Sequence, residues 1–557
     1  MISVKMKEDL QILYPDKWEE TLAAIGRLVK ENAITRKSVP LSEEDSILIT
    51  YGDTIRSAHD VPLAVLSRFL ERHGKAFSAV HILPFYPFSS DDGFAVVDPT
   101  AVDPDLGGWD DIENIARSHD LMFDAVINHI SKSSRWFRGF SQGEDAFAAF
   151  FIEERADADY SQVVRPRSTP LFHEYETVAG KKRLWTTFSV DQLDLNYQNP
   201  CVLLRVLDIL IRYAKKKARF LRLDAVGFLW KETKHPCIHH ENTHRLIRIM
   251  RSVLDLAVPG TFLVSETNVP HEENITYFGE NADEAHLAYQ FALPPLVLHA
   301  YHKHNADILH DWSASLEKVP LNKNTAFLNF LASHDGIGLR PVEGWLTDDD
   351  IDSLVAHIRQ KGGLVSYRSA PGGQRTAYEL NIDYFDALCE EEDTFDQGIR
   401  KFLGAHAVLL AMRGVPAVYL HSFLASGGNR ALADSTGIPR RINRQKLDME
   451  TLEADLASSS SRRRVVLDNM KSLLAIRRRI DAFHPDAPQT EKWYDSRVFS
   501  FVREGKTTRV AVLVNLAREE VRLDTDLCGF DLFSGLCCER TVNLQPYGYM
   551  WLQLDND

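Results

Sequence analysis

Three carboxylates stand where an apolar run has just ended. Asp224 lies in "FLRLDAVGFLWKE", two residues after Arg222; Glu266 closes "FLVSET"; Asp335 follows His334 at the end of "AFLNFLASHD". Asn128 and His129 close "MFDAVINH", Asp53 closes "SILITYGD", and the loop "PFYPFSSDDGF" offers Asp91, Asp92 and Phe94. One such residue alone would ordinarily cap a turn or helix. Many of them at successive strand ends, where burying an unpaired charge is costly, point to a site. The chemistry that suits them is glycosyl transfer. A retaining enzyme uses one carboxylate to attack the anomeric carbon. A second, about 5–5.5 Å away, protonates the leaving oxygen and later acts as base. The acid must stay protonated near neutrality, which burial or a neighbouring carboxylate provides. Arg222 and Asp224 are two apart on a strand and share a face, so Arg222 is expected to keep Asp224 ionised.

Positioning these groups requires strands that end on one rim. Short apolar runs alternate with amphipathic helices along the chain: Ser46–Asp53, Ala79–Phe85, Met122–His129, the run from Phe220, Phe262–Thr267, Leu287–Leu293, Ala326–Asp335 and Pro416–Leu420. The helix before Phe262 gathers Leu246, Ile249, Met250, Val253 and Leu254 on one face. Eight such units predict a closed α/β barrel, (β/α)8, with its active site at the C-terminal ends of the strands. The chain is longer than the ~250 residues such a barrel needs. The surplus is assigned to a helical extension (1–45), an insertion after strand three (130–198) and a smaller one after strand seven (336–396). The barrel itself runs over 46–486. From 487 to 557 the pattern changes, with "RVFSFVREGKTTRVAVLVNL" reading as two strands around a turn and "GYMWLQL" as a closing strand, so a small all-β domain is expected.

Bulk properties exclude several functions. A net charge of −15 over 557 residues argues against nucleic acid or anionic membrane as partner. "KKKAR" (215–219) reads as a helix end. Six scattered cysteines form neither a disulfide framework nor a zinc pattern, and no apolar run suits a signal peptide or a membrane span. A cytoplasmic monomer or homodimer without metal is the expectation.

With their order along the chain, "DAVINH", "RLDAVG", "SET" and "ASHD" resemble the conserved blocks of the α-amylase superfamily of glycoside hydrolases, and "QLDLN" (192–196) resembles the extra block of its oligo-1,6-glucosidase branch. The resemblance spans the barrel and the β-domain. It implies Asp224 as nucleophile, Glu266 as general acid/base and Asp335 as the carboxylate that stabilises the distorted sugar. His129, His334 and Arg222 take the positions that hold the glucosyl unit and flank the nucleophile. "VHILPFYPFSSDDGF", "RPRSTPLF", "HDGIG" and "RRINR" are similar to the sucrose phosphorylase-like branch. That similarity implies Asp91, Phe94, Phe188, Gln192 and Arg440 as donor-binding residues, and Arg167 and Tyr378 at the phosphate and acceptor side. Calcium-site motifs are not evident. Inorganic phosphate is then a co-substrate rather than a cofactor, and the product is α-D-glucose 1-phosphate.

Two segments depart from sucrose phosphorylases: the N-terminal extension and the insertion with "GLRPVEGWLTDDD" and "GGLVSYRSAPGGQRTAYELN". They look more like glucosylglycerate phosphorylases and sucrose 6-phosphate phosphorylases, whose acceptors are anionic. Arg340, Arg368 and Arg375 are the cations such an acceptor would use. The expected reaction is reversible phosphorolysis of 2-O-α-D-glucosyl-D-glycerate. The alternatives are sucrose or sucrose 6-phosphate phosphorolysis, and an α-glucosidase or glucosyltransferase indifferent to phosphate.

Overall fold

The computed structural model describes residues 3–167, 169–319, 321, 325–369 and 375–555. Eight parallel strands close a barrel in sequential order: β1 (Ile47–Thr50), β2 (Ala79–Ile82), β3 (Asp120–Ala125), β4 (Ala218–Leu223), β5 (Phe262–Ser265), β6 (Leu287–Tyr289), β7 (Ala326–Asn329) and β8 (Val415–Tyr419). Parallel strands are covered on both faces, so they read as unbroken apolar runs. In β4 every residue is buried, Arg219 and Arg222 included. Arg219 is tolerated because Asp45 (2.6 Å) and Asp120 (2.9 Å) hold its guanidinium at the opposite end of the strand from Asp224.

The strands end sooner than the apolar runs suggested. β1 stops before Asp53, β3 before Asn128 and His129, and β7 before His334 and Asp335. The sixth run also divides: β6 ends at Tyr289, and Leu293 begins the helix Leu293–Lys303. Hydrophobicity continues past each strand because the rim loops are themselves packed, so composition alone does not mark the boundary.

The covering helices carry ordinary start signals. Asn199 caps Pro200–Lys215 by accepting from the Cys201 N–H, with proline in the first turn. The helix Glu241–Ala257 buries Leu246, Ile249, Met250, Val253 and Leu254, the face expected from spacing. At the N-terminus, Val4–Leu13 and Trp18–Asn32 pack on these two helices. Met6, Leu10 and Ile25 are part of the main core, and Arg248 forks onto the buried Asp9 at 3.0 and 3.1 Å.

The segment after β3 leaves and rejoins through an antiparallel pair, His129–Ser131 against Gln192–Asp194, and carries the hairpin Phe172–Thr177/Gly180–Trp185. A buried ion network fixes its root. Lys231 Nζ lies 2.8 Å from Asp194 Oδ2 and 2.7 Å from Asn128 Oδ1, and Asp194 also accepts from Thr187. After β7 come the helix Asp348–Gln360 and an antiparallel hairpin, Leu364–Ser369/Arg375–Asn381. The C-terminal segment forms one six-stranded antiparallel sheet between Gln489 and Leu554. The sequence suggested only three of those strands. The others, such as Val521–Asp531 and Cys537–Leu544, alternate buried with exposed residues and carry charges that mask the pattern.

Candidate active site

Asp224 follows β4 and continues its ladder, donating its N–H to Ala125 O (3.1 Å). The next residue, Ala225, has φ 49° and ψ 35°, a left-handed conformation that costs a non-glycine residue energy. That turn aims the Ala225 N–H at Glu266 Oε2 (2.8 Å), which seats Glu266, just past β5, beside Asp224. Arg222 lies under both: its Nη1 is 2.9 Å from Asp224 Oδ1, and its Nη2 is 3.9 Å from Glu266 Oε2.

Arg222 is not given over to Asp224. The fully buried Asp124 takes the same Nη1 at 2.5 Å and accepts from His81 Nε2 at 2.7 Å. Burial raises the Asp224 carboxyl to about 7, Arg222 opposing and Asp124 and Asp335 reinforcing the rise. Burial raises Glu266 to about 7 as well, again against Arg222. The expectation that Arg222 simply keeps Asp224 ionised is therefore corrected. Two carboxyls compete around one shared cation, and near neutrality the pair carries one proton between them.

Asp335 is different. Burial would raise it, but Arg440, His334, Arg444 and Arg222 hold it well below the usual carboxylate range. Arg440 Nη1 is 2.6 Å from Asp335 Oδ1, and its remaining nitrogens fork onto Glu379. Burial lowers His334 to about 3, so its ring is neutral. Phe94 stacks on that ring at 4.9 Å, nearly parallel.

Asp224, Glu266, Asp335, Arg222, His334, Arg440 and Phe94 line one pocket at the C-terminal rim, together with Asp91, His129, Phe188 and Gln192. Gln192 Nε2 donates to Asp91 Oδ2 (3.0 Å) and lies 3.2 Å from His129 Nε2. The turn that offers Asp91 is strained: Asp91, Asp92 and Gly93 all have positive φ. Glycine is required at its end, since a Cβ at Gly93 would stand 2.8 Å from Pro84 O. Asp92 does not face the pocket. Arg441 and Arg444 grip it at 2.5 and 2.7 Å, outside the pocket lining. Asp53 is also outside, bound to Lys446 and Arg56.

A second pocket lies on the other side of Glu266 and shares Phe188, Asn268 and Tyr378 with the first. Three guanidiniums line it: Arg165, Arg340 and Arg368. Arg340 Nη2 is 3.5 Å from Glu273, Arg368 donates to Glu343 (2.7 Å), and Arg165 donates to Thr169 O. Three buried polar atoms here have no hydrogen-bond partner: Arg165 Nε, Arg340 Nε and Asn268 Oδ1. Of the expected acceptor residues, Arg340 and Tyr378 are brought here, whereas Arg167 lines the first pocket and Arg165 stands in this one. Arg375 is exposed, its guanidinium over the Tyr367 ring at 5.3 Å, and lines neither pocket. The sequence reading passed over Asn268, Glu379 and Arg444. Asn268, two residues after Glu266, was within reach of strand-end reasoning; Glu379, inside the hairpin strand Arg375–Asn381, and Arg444, in a loop, carry no such marker. Among the described residues no cluster of His, Cys, Asp and Glu could hold a metal ion.

Comparison with known proteins places the chain in a family. Residues 73–342 match the family model of the alpha amylase catalytic domain. The chain is 43% identical to the glucosylglycerate phosphorylase of Allomeiothermus silvanus over 98% of this chain and 97% of that one. It is 41% identical to the glucosylglycerate phosphorylase of Escherichia coli K12 over 93% of each. In fold it is similar to the crystal structure of sucrose 6F-phosphate phosphorylase from Thermoanaerobacter thermosaccharolyticum. There the TM-score is 0.74 at 22% identity, covering 90% of this chain and 98% of that one.

Proposed function

The chain belongs to the α-amylase family, in the branch of the glucosylglycerate and sucrose phosphorylases, and on that premise we propose that it is a retaining phosphorylase acting on an α-glucoside of an anionic acceptor, D-glycerate first among them. The observation that carries this reading is the position of Glu266 between two unlike pockets. On one side Arg222, Arg440, Asp224 and Asp335 are joined in ion pairs with one another or with Asp124 and Glu379. On the other, three guanidiniums surround unfilled hydrogen bonds, and the one carboxyl that lines the pocket is Glu266 itself.

The roles follow from the geometry. The glucosyl unit occupies the first pocket, its hydroxyls facing Asp91, His129, Gln192 and Asp335. Asp224 attacks C1 while Glu266 gives its proton to the oxygen leaving toward the second pocket. Asp335, ionised in its cage of cations, stabilises the oxocarbenium-like charge. Glu266, now a carboxylate, takes the proton from the incoming phosphate, whose oxygen attacks C1 from the face the acceptor left. The product is α-D-glucose 1-phosphate with retained configuration. Arg340, Arg165 and Arg368 hold the carboxylate of glycerate, a planar anion suited to a guanidinium fork. Arg167 and Tyr378, in the lining of the first pocket, hold the phosphate. No cofactor is needed. A cytoplasmic location is proposed with this reading: the six cysteines are all free, and among the described residues no helix is long and apolar enough to cross a membrane.

The test is a panel of acceptors with glucose 1-phosphate as donor: D-glycerate, fructose, fructose 6-phosphate and glycerol. Phosphate release is expected with D-glycerate above all. Release with fructose alone removes the anionic-acceptor reading, and sugar turnover indifferent to phosphate removes the phosphorylase reading.

A further inference from the structure

The hairpin Leu364–Ser369/Arg375–Asn381 reaches the site through two adjacent residues. Its ladder slips by one position: Ser366 pairs with Glu379 and Tyr367 with Ala377, so Tyr378 is the extra residue of a bulge. A bulge re-aims a side chain, and Tyr378 lines both pockets. Glu379 points the other way and is 1% exposed. It takes Arg440 in a fork, Nε to Oε2 at 3.0 Å and Nη2 to Oε1 at 2.7 Å. The remaining nitrogen, Nη1, lies 2.6 Å from Asp335 Oδ1. One guanidinium therefore joins the hairpin to the carboxylate that faces the sugar. Space for this contact is made at Gly336, directly after Asp335, where a Cβ would stand 2.5 Å from Glu379 Cγ. The strand behind is already in register, Gly338 pairing with Glu379.

We propose that Glu379 is a positioning residue that fastens the acceptor-side hairpin to the donor pocket, so that Tyr378 is held in place by the same guanidinium, Arg440, that pairs with Asp335. This rests on the glucosyl-transfer reading and on no particular acceptor. A buried carboxylate is tolerated only with its partner, so an undocked hairpin would leave Glu379 and half of the Arg440 charge unbalanced. Docked, the hairpin walls the second pocket and keeps bulk water from Glu266 while the glucosyl enzyme waits for its acceptor.

The experiment uses the whole chain and α-glucosyl fluoride, a donor whose leaving group needs neither acceptor contacts nor a full proton. Three quantities are read: formation of the glucosyl enzyme, the KM of whichever acceptor the wild-type protein uses, and the share of glucosyl lost to water. For Glu379→Gln, the acceptor KM and the water share are each expected to rise about tenfold, the loss of a charge-assisted fork, while glucosylation changes within about threefold. Gly336→Ala keeps both charges but displaces Glu379, and the same split is expected. An unchanged acceptor KM and water share in Glu379→Gln overturns the proposal. So does a loss of glucosyl-enzyme formation that tracks the fall in melting temperature in both variants, the signature of a merely structural role. A wrong acceptor assignment shows in the wild-type panel, whereas a wrong latch shows only in the variants.

Discussion

The pockets on either side of Glu266 are built on opposite principles. In the donor pocket the charges around the catalytic carboxyls are spent on one another: Arg222 on Asp124 and Asp224, Arg440 on Asp335 and Glu379. In the acceptor pocket three guanidiniums, Arg165, Arg340 and Arg368, stand around a single lining carboxyl, Glu266, and the carboxylates that Arg340 and Arg368 reach, Glu273 and Glu343, lie outside the lining. A network of shared ion pairs is stiff and fits one sugar, since any change breaks several charge-assisted bonds at once. A pocket lined by three guanidiniums and one carboxyl favours a guest of negative charge. The donor side therefore decides what the enzyme does to a glucoside, and the acceptor side decides which glucoside.

The comparison breaks most sharply at Asp224. Asp224→Asn removes the nucleophile, and turnover with every donor should fall by about 10⁴-fold or more in steady-state assays. Residual activity above that level would mean that another group attacks C1. Glu266→Gln is the next largest effect. A loss of about 10²–10⁴-fold is expected with natural glucosides and a much smaller one with α-glucosyl fluoride, whose leaving group needs little proton help. Equal losses with both donors would deny Glu266 its role as acid.

Arg340→Ala tests the acceptor pocket alone. Its D-glycerate KM should rise about 10–100-fold, while hydrolysis of α-glucosyl fluoride stays within about twofold. A matching fall in hydrolysis would show that the two pockets are not separable at this residue.

The pH dependence sharpens the donor side. Burial lifts Asp224 and Glu266 to about 7 each, and catalysis needs the first ionised and the second protonated. As pH falls below about 7 Asp224 takes up the proton, and as it rises above Glu266 gives it up, so the profile of kcat/KM should be a narrow bell near neutrality. Arg222 lowers both groups, so Arg222→Met should shift the acid limb upward in pH. An unmoved limb would remove Arg222 from the account. The smallest effect is on stability. A carboxyl whose folded value lies above its unfolded one stabilises fully below the unfolded pKa, and that contribution is lost as pH rises through the folded pKa, here about 7. The Tm of Asp224→Asn relative to wild type should therefore improve from pH 5 to pH 8. A difference independent of pH would contradict the raised value.

What could be read from the sequence follows the same division. Asp224, Glu266 and Asp335 each stand at or shortly after an apolar run, and a charge there is conspicuous because the surrounding residues are not charged. Asp91, His129 and Gln192 entered through their blocks of neighbouring sequence, and the structure brings all three to one wall. Arg375 was grouped with Arg340 and Arg368 on charge alone, and it lines neither pocket. Arg165 and Arg167 are two apart in one loop yet line different pockets, a difference no periodicity encodes. Glu379 could not be chosen at all, because its partner is fixed by how the segment after β7 folds over the rim.

By itself the sequence determined the barrel, since eight apolar runs between amphipathic helices have few other ways to bury themselves, and it determined the three carboxylates that end on its rim. Tertiary structure alone decided how those charges are shared. It set Arg222 between two acids rather than beside one, tied Arg440 to a hairpin from a distant segment, and gathered three guanidiniums around one pocket. The physical reason is range. Hydrophobic patterning is local along the chain, whereas the energy of a buried charge depends on whichever groups the fold brings within a few ångströms of it.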